Sequence, residues 1–361
     1  MNTKIIPVFI PHIGCPNDCI FCNQRKITGK EKIIEIEDIE KDIISSLETI
    51  SQDDEIEIAF FGGSFTAIDK KLQSDYLEIA NKYMGIDSRI KYIRISTRPD
   101  AIDEETLEVL KQKRVDIIEL GVQSLDEEVL RKANRGHDAA CVYKASELIK
   151  KHKFRLGLQM MIGLPEDNEE KDIFTAKEFV RIAPDFVRLY PVLVIKKTEL
   201  ENLYMNGSYS PLSVRNAALI SAKLFTLFSK NNINVIRIGL QASDNINMDS
   251  DVIAGPFHPS FGEIVFSEIF RQYIEEVFMR KYSVSKTISI QSSNQDISKI
   301  IGNKRSNKEY FLNTYDIDMK IKAVSKNNKN HFIINGVPVT MDAMVEDLYD
   351  LYFNDGGTDV S

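Results

Sequence analysis

KYIRISTRPDAIDEETLEVLKQKRVDIIELGVQ, residues 91–123, holds one complete strand–helix–strand unit. KYIRIST (91–97) is rich in branched and aromatic residues and is stopped by Pro99, which cannot donate to a sheet ladder. Residues 103–113 carry apolar side chains at helical spacing, and VDIIELGVQ (115–123) is a strand again. Polar groups stand where each strand ends: Thr97-Arg98 after the first and Gln123 after the second.

The rhythm extends in both directions. Upstream lie a short apolar strand at Ile5–Ile10 and a helix over 36–50, with Ile36, Ile39, Ile43, Ile44, Leu47 and Ile50 on one face. IEIAFFGG is a strand ending in Gly62-Gly63, and residues 70–85 are a helix. Downstream the pattern predicts helices over 126–132 and 138–151, a strand RLGLQMMIG (155–163) closed by Pro165, and a helix over 168–183. A strand DFVRLYPV (185–192), a helix over 212–231 and a last strand NVIRIGL (234–240) complete the series. Strands alternating with helices imply βαβ units and a parallel sheet. Six or seven such units with Ile-, Val- and Leu-rich strands predict an α/β fold, a partial (β/α)6-type TIM barrel. The doubly wound alternative lacks a G-x-G-x-x-G after its first strand. In a βα barrel, chemistry collects on the loops at the C-terminal strand ends.

Past residue 255 the rhythm breaks. The sequence predicts one helix over 263–280, a strand in YSVSKTISI, a helix at 295–301, strands near 316–324 and 331–339, and a last helix over 341–353. The expected domains are therefore a barrel over 1–250, a small α+β region over 251–354 that closes it, and a flexible tail over 355–361.

Of 361 residues, 43% are hydrophobic, enough for a large core, and the formal net charge is −8. That balance does not favour a general nucleic-acid binder, because phosphate contacts come from Lys and Arg. The lysines between Lys299 and Lys329 read as a solvated surface. No apolar run approaches the ~20 residues that span a bilayer. MNTKIIPVFIPHIG is broken by Pro7 and Pro11 and has no cleavage site, so the expected location is cytoplasmic, with no membrane partner.

Three of the four cysteines fall in GCPNDCIFCNQ (14–24), at Cys15, Cys19 and Cys22. In a reducing compartment such a cluster means metal or redox chemistry rather than disulfides. Cys141 stands apart on a helical stretch and reads as a small buried apolar residue. Zinc would need a fourth ligand, for which His12 and His258 are the candidates. A [4Fe–4S] cube normally takes four cysteines, so three leave one iron open to a cofactor or substrate. Cys141 alone is too little for a second cluster.

The C-x3-C-x2-C of CPNDCIFC resembles the signature of the radical S-adenosylmethionine (SAM) superfamily. The resemblance implies that Cys15, Cys19 and Cys22 hold a [4Fe–4S] cluster and that SAM chelates the open iron. Reductive cleavage of SAM to a 5′-deoxyadenosyl radical would then abstract hydrogen. Phe21, just before the last cysteine, fits the family's aromatic beside the cluster or adenine. FFGGSFTAI (60–68) resembles the family's glycine-rich second-strand motif, which implies cofactor contacts from Gly62, Gly63 and Ser64. Ser64 departs from the usual Glu or Thr. Thr97, at the end of the third strand, is counted with them.

LGVQSLDEEVLRKANRGH (120–137) resembles the oxygen-independent coproporphyrinogen oxidases. That resemblance implies cofactor contacts from Gln123 and Arg135, which suit ribose hydroxyls and a carboxylate respectively. QMMIGLPED (159–167) resembles the family's strand-five turn, with Gln159 where Asp is common. IRIGLQAS (236–243) is a further candidate for a backbone contact to adenine.

VRLYPVLVIKKTELENLYMNGSYSPLS (187–213) and STRPDAID (96–103) are similar to the radical domain of the Elongator catalytic subunit family, which modifies tRNA. That likeness covers roughly residues 5–245. It implies a substrate channel near Arg188, Tyr190, Lys196 and Lys197. Residues 255–361 carry no Gly- and Arg-rich nest for a coenzyme A pyrophosphate, so acetyl-CoA-dependent chemistry is not expected. Tyr190 and His258, the latter in AGPFHPSFGEIV (254–265), are the catalytic candidates.

The reading is thus a radical SAM enzyme that acts on an unidentified substrate, with tRNA one candidate and a ferredoxin or flavodoxin as reductant. The alternatives are porphyrin or other small-molecule radical chemistry, or a non-catalytic Fe–S or zinc protein that binds RNA.

Overall fold

The structure, a computed structural model, describes residues 3–10, 15, 19–22, 34–240, 251–324 and 329–354. His12, the end of IRIGLQAS and the tail from 355 lie outside the described residues. The chain divides into two compact units, one of residues 1–212 and 241–257, the other of 213–240 and 258–361.

In the first unit six parallel strands run in chain order: β1 (Thr3–Ile10), β2 (Glu55–Gly62), β3 (Ile90–Thr97), β4 (Ile117–Gln123), β5 (Arg155–Ile162) and β6 (Phe186–Pro191). Each pairs in parallel with the next. The helices between them are α1 (Ile36–Thr49), α2 (Lys70–Ile86), α3 (Glu104–Gln112), α4 (Glu127–Lys132), α5 (Ala139–Lys151) and α6 (Glu169–Ile182). This is the partial (β/α)6 barrel that the alternation predicts.

Why the helices start where they do is written in their caps. Asp69, Asp103, Asp126, Asp138 and Asn168 each accept backbone N–H bonds from the first turn that follows. Such a cap is worth about 1 kcal/mol against Ala. Each helix then turns an apolar stripe inward: Ile39 and Ile43 on α1, Leu107 and Leu110 on α3, Val142 and Ile149 on α5. Strand residues pointing at these helices are fully buried, among them Ile58, Phe60, Ile93, Ile95, Ile118, Leu120, Leu156 and Leu158.

The opposite face of the strands carries charge. Arg94 on β3 contacts Glu57 on β2 at 2.6 Å and Glu119 on β4 at 3.0 Å. Its Nη2 also donates to Glu57 at 2.9 Å, while the closer Nε contact lies off the hydrogen-bond axis. Arg188 on β6 reaches Glu119 at 3.3 Å, and Gln159 on β5 donates to the same carboxylate. Gly157 on β5 is required here: a Cβ would lie 2.2 Å from the Phe186 ring. That ring is the surface on which the Arg94 guanidinium rests, 4.6 Å from its centroid.

The second unit contains the helix Val214–Lys230 and the strand Asn234–Ile238. It also holds a four-stranded sheet in the order Asp318–Ala323, Thr287–Ser292, His331–Ile334, Val337–Thr340. The first pair is parallel and the others antiparallel. Phe270, Phe311, Phe332, Ile288 and Ile290 form its core. The stretch read as one helix over 263–280 is helical from Phe261 to Lys281, with a π-helical segment at Tyr273–Phe278. The single strand expected at 331–339 is instead a hairpin turning at Asn335-Gly336, both at positive φ. Asn-Gly is the pair that a two-residue hairpin turn demands. A helix at Ser306–Tyr315, within the lysine-rich segment, was not expected; it buries Phe311 and Asn307.

Candidate functional site

Backbone hydrogen bonds fix the end of the cysteine loop. Ile20 donates to the Ala133 carbonyl at 3.2 Å, and Leu200 donates to the Ile20 carbonyl at 2.8 Å. Cys22 donates to Cys19 at 2.9 Å and closes a turn. Ile20 is buried with Val129, Ala133, Leu164, Val192 and Leu200, and Phe21 packs against that group. Cys19 is buried, while Cys15 and Cys22 are half-buried.

Two guanidiniums face the Cys19 sulfur. Arg135 Nη1 lies 2.9 Å from it and Arg98 Nη1 lies 3.9 Å from it. Arg135 also donates to the Gly121 carbonyl at the end of β4, and its guanidinium lies 6.0 Å from the Phe21 ring. Arg98 grips Asp100 at 2.8 and 2.9 Å and donates to the Arg135 carbonyl. Burial pushes the Cys15 thiol above its ordinary value, against the pull of the Ser64 N–H and of Arg98.

The strand-two turn stands beside this loop. Gly62 has φ +112°, and a Cβ there would sit 2.3 Å from the Ile10 carbonyl oxygen. Gly63 N–H reaches the same oxygen at 3.5 Å. Ser64 and Thr97 share a hydroxyl bond of 2.8 Å, and Ser64 Oγ accepts the Arg98 N–H at 3.1 Å. Thr66 adds a 2.6 Å contact to the Thr97 hydroxyl. At the end of β4, Gln123 adopts φ +78°, costly for a residue with a Cβ. Its Oε1 is buried and has no hydrogen-bond partner among the described residues.

A turn at the end of β5 closes this side. Tyr209 donates to the Gly163 carbonyl at 2.6 Å, and Asp167 accepts the Gly163 N–H at 3.1 Å. Asp167 and Asp172 share a buried carboxyl contact. Burial pushes Asp167 up to about 6, and burial with the Asp167 charge pushes Asp172 well above its ordinary value. A cavity of about 540 Å3, lined by Asp100, His137, Asp138 and Cys141 among others, opens beside α5. Burial and the neighbouring Arg135 push His137 down to about 4, so its imidazole is neutral.

Cys15, Cys19, Phe21, Ser64, Thr97 and Arg135 are thus linked by contacts around one loop, with Gln123 and Gly62 at adjoining strand ends. Gln159 sits lower in the sheet and is tied to Glu119. Tyr190 receives a bond from Arg188 at 3.2 Å, and Arg188 lies 4.9 Å over the Phe61 ring. Lys196 and Lys197 are exposed. The Lys196 N–H donates to Asp251 at 2.9 Å and the Lys197 N–H to Glu201. His258 belongs to the second unit, where its Nδ1 accepts the Ser260 N–H and its Nε2 stands 3.1 Å from the Asn303 amide. Sequence reading missed Arg98 as a site residue, and Glu57, Arg94 and Glu119 as a buried ionic layer.

Among the described residues no three His, Cys, Asp or Glu side chains are gathered at metal-binding spacing. The donor chemistry nevertheless fits a thiolate-held iron–sulfur cluster. Three thiols lie on one loop, two guanidiniums stand ready to offset thiolate charge, and an orphaned amide oxygen and a glycine cradle adjoin them.

The fold and this loop define a radical SAM protein. The model of the Radical SAM superfamily matches residues 9–177, and that of the radical SAM C-terminal domain matches residues 184–271. The chain belongs to the radical SAM superfamily, and it is an enzyme. Membership implies a [4Fe–4S] cluster, SAM and a need for a reductant. Its relatives include proteins of the Elongator type. It is 32% identical over 183 residues to a tRNA uridine(34) acetyltransferase of Methanocaldococcus infernus, covering 44% of this chain and 33% of that protein. It is 31% identical over 194 residues to Elongator complex protein 3 of Saccharomyces cerevisiae, covering 48% and 35%. The match thus spans about a third of the length of these relatives. The solved structure of M. infernus Elp3 with its N-terminus deleted superposes with a TM-score of 0.59 at 22% identity, over 76% of this chain and 63% of that one. That likeness establishes the shared fold. Among the described residues no helix is long and apolar enough to cross a membrane.

Proposed function

We propose that Cys15, Cys19 and Cys22 hold a [4Fe–4S] cluster with SAM bound beside it, and that the enzyme abstracts hydrogen from a substrate for which tRNA is the first class to test. When bound, the pair supplies one-electron reductive cleavage of the cofactor's sulfonium. The observation that carries the reading is the pair of guanidiniums on Cys19, beside the orphaned Gln123 oxygen. A structural zinc knot would require neither.

The side chains divide the work. Arg135 offers a fork for a carboxylate. Gln123 offers a buried acceptor to a ribose hydroxyl, which would satisfy its lone oxygen. Gly62 and Gly63 let the strand-two backbone approach a ligand closely, and Ser64 and Thr97 hold that turn. Phe21 covers the guanidinium of Arg135. Gln159 is held by Glu119 and acts as wall rather than as a free donor. Arg188 and Tyr190 line the substrate side of the sheet. His258, satisfied by Ser260 and Asn303, is assigned no chemistry here. The relatives' names support tRNA as substrate; acetyl transfer is not carried over from a match to a third of their length. A ferredoxin- or flavodoxin-like protein would deliver the electron.

The test is anaerobic. Wild-type protein loaded with iron and sulfide, reduced and given SAM, forms 5′-deoxyadenosine, and addition of total tRNA raises the yield. Cys22→Ala forms none. A fully loaded wild type that neither binds SAM nor forms the product refutes the reading.

A further inference from the structure

We infer that Arg98 is a positioning residue of the cysteine loop, whose charge, applied to the Cys19 sulfur, raises the reduction potential of the cluster that the loop would hold. The inference rests on the three-cysteine reading above and deepens it.

Arg98 is 4% exposed, and a guanidinium is never neutral in a protein. Its backbone N–H is held by Ser64, and its side chain spends two bonds on Asp100 and one on the Arg135 carbonyl. That leaves Nη1 aimed at the Cys19 sulfur, 3.9 Å away. The same residue thus fixes the chain segment that carries Arg135 and adds a second cation to the sulfur that Arg135 already touches. Reduction adds one negative charge to a thiolate-ligated cluster. A fixed cation nearby, in a poorly solvated site, stabilises the reduced form.

The partners of the two cations differ. Arg135 is the group offered to a cofactor carboxylate, which would offset its charge on binding. Among the described residues Arg98 is ion-paired with Asp100 alone, whose side chain is 27% exposed and lines the cavity beside α5. Water screens Asp100 more than it screens Arg98, so the cancellation is incomplete. Arg98 therefore keeps a net positive field on the loop after a cofactor has bound.

The experiment compares wild type, Arg98→Gln, Arg98→Lys and Asp100→Asn, each loaded anaerobically with iron and sulfide as the full chain. Iron content, SAM binding and the midpoint potential from EPR-monitored redox titration are measured. The expected result is a full cluster in all four. The midpoint moves to more negative values in Arg98→Gln, to more positive values in Asp100→Asn, and lies between Gln and wild type in Arg98→Lys. Equal midpoints in wild type and Arg98→Gln overturn the inference. So do shifts of the same sign in Arg98→Gln and Asp100→Asn, which would mean loosened structure rather than charge. If Arg98→Gln takes up no iron, an unmoved midpoint in Asp100→Asn overturns it instead. A wild type that takes up no cluster removes the three-cysteine reading first, and this inference with it.

Discussion

Glu119 should be among the costliest single positions in the barrel. It is fully buried and faces two guanidiniums, Arg94 at 3.0 Å and Arg188 at 3.3 Å. In Glu119→Gln, Arg94 keeps Glu57 at 2.6 Å. Arg188 keeps the Tyr190 hydroxyl, the Phe61 ring and the more distant charge of Glu57, which Arg94 already engages. Two buried cations are then left to share one carboxylate, and removing a partner from such a buried ionic group costs about 3–5 kcal/mol. At a urea m-value of about 2.5 kcal/mol/M, the midpoint falls by roughly 1–2 M. The assay is urea unfolding, with hydrogen exchange on the peptide spanning 115–123 to locate the loss in β4. Adding Arg188→Met removes the surplus charge and should recover about 2 kcal/mol, a coupling of the size expected for groups in contact. A Glu119→Gln loss under about 1 kcal/mol, or a double variant no more stable than the single, would refute the reasoning.

Other outcomes follow from the same geometry. Cys15→Ala, Cys19→Ala and Cys22→Ala should each abolish iron uptake, and Cys141→Ala should retain it, as read by iron and sulfide analysis and the brown absorbance. Gly62→Ala forces a Cβ against the Ile10 carbonyl at φ +112° and should destabilise the first unit by about 2–3 kcal/mol in thermal unfolding. The carboxyls of Asp167 and Asp172 are raised by burial, so the folded state holds protons that the unfolded chain releases. Their stabilisation is complete below the ordinary carboxylate range; the share of Asp167 is lost as pH rises through about 6, and that of Asp172 as pH rises through its own raised value. Asp172→Asn should flatten that decline in melting temperature between pH 5 and 7, and an unchanged slope would dismiss the pair as its source.

The barrel was legible because its strands are short apolar runs and its helices are amphipathic, two periods that a single chain displays without its neighbours. The cysteine motif stands out because its spacing is local; its role as a ligand set is a proposal. What escaped was every feature made by residues distant in sequence. Arg98 reads as a polar strand end until the fold brings Cys19, 79 positions earlier, against it. The one local hint is Asp100 two residues on, the partner that a buried arginine needs. Glu57, Arg94 and Glu119 each looked like single charges in apolar strands. Only the parallel register sets Arg94 between β2 and β4. The Asn335-Gly336 hairpin is a different failure. Its signal is local, the Asn-Gly pair, but apolar residues on both sides of it read as one continuous strand. His258 stands out in sequence by its flanking prolines, and its ring nitrogens meet the nearby Ser260 N–H and the distant Asn303 amide.

The bolting of the cysteine turn to Ala133 and Leu200 sets a clock for maturation. On a ribosome the cysteines emerge early, but the backbone partners that shape Ile20 lie roughly 110 and 180 residues downstream. At about 5–20 residues per second the second anchor appears some 10–40 s after the thiols. During that interval the thiols are exposed on an unanchored loop, open to oxidation and to the wrong metal. On the proposed reading, loading of a cluster on this loop therefore belongs after the barrel strands have formed around it, with iron–sulfur delivery behind translation rather than abreast of it.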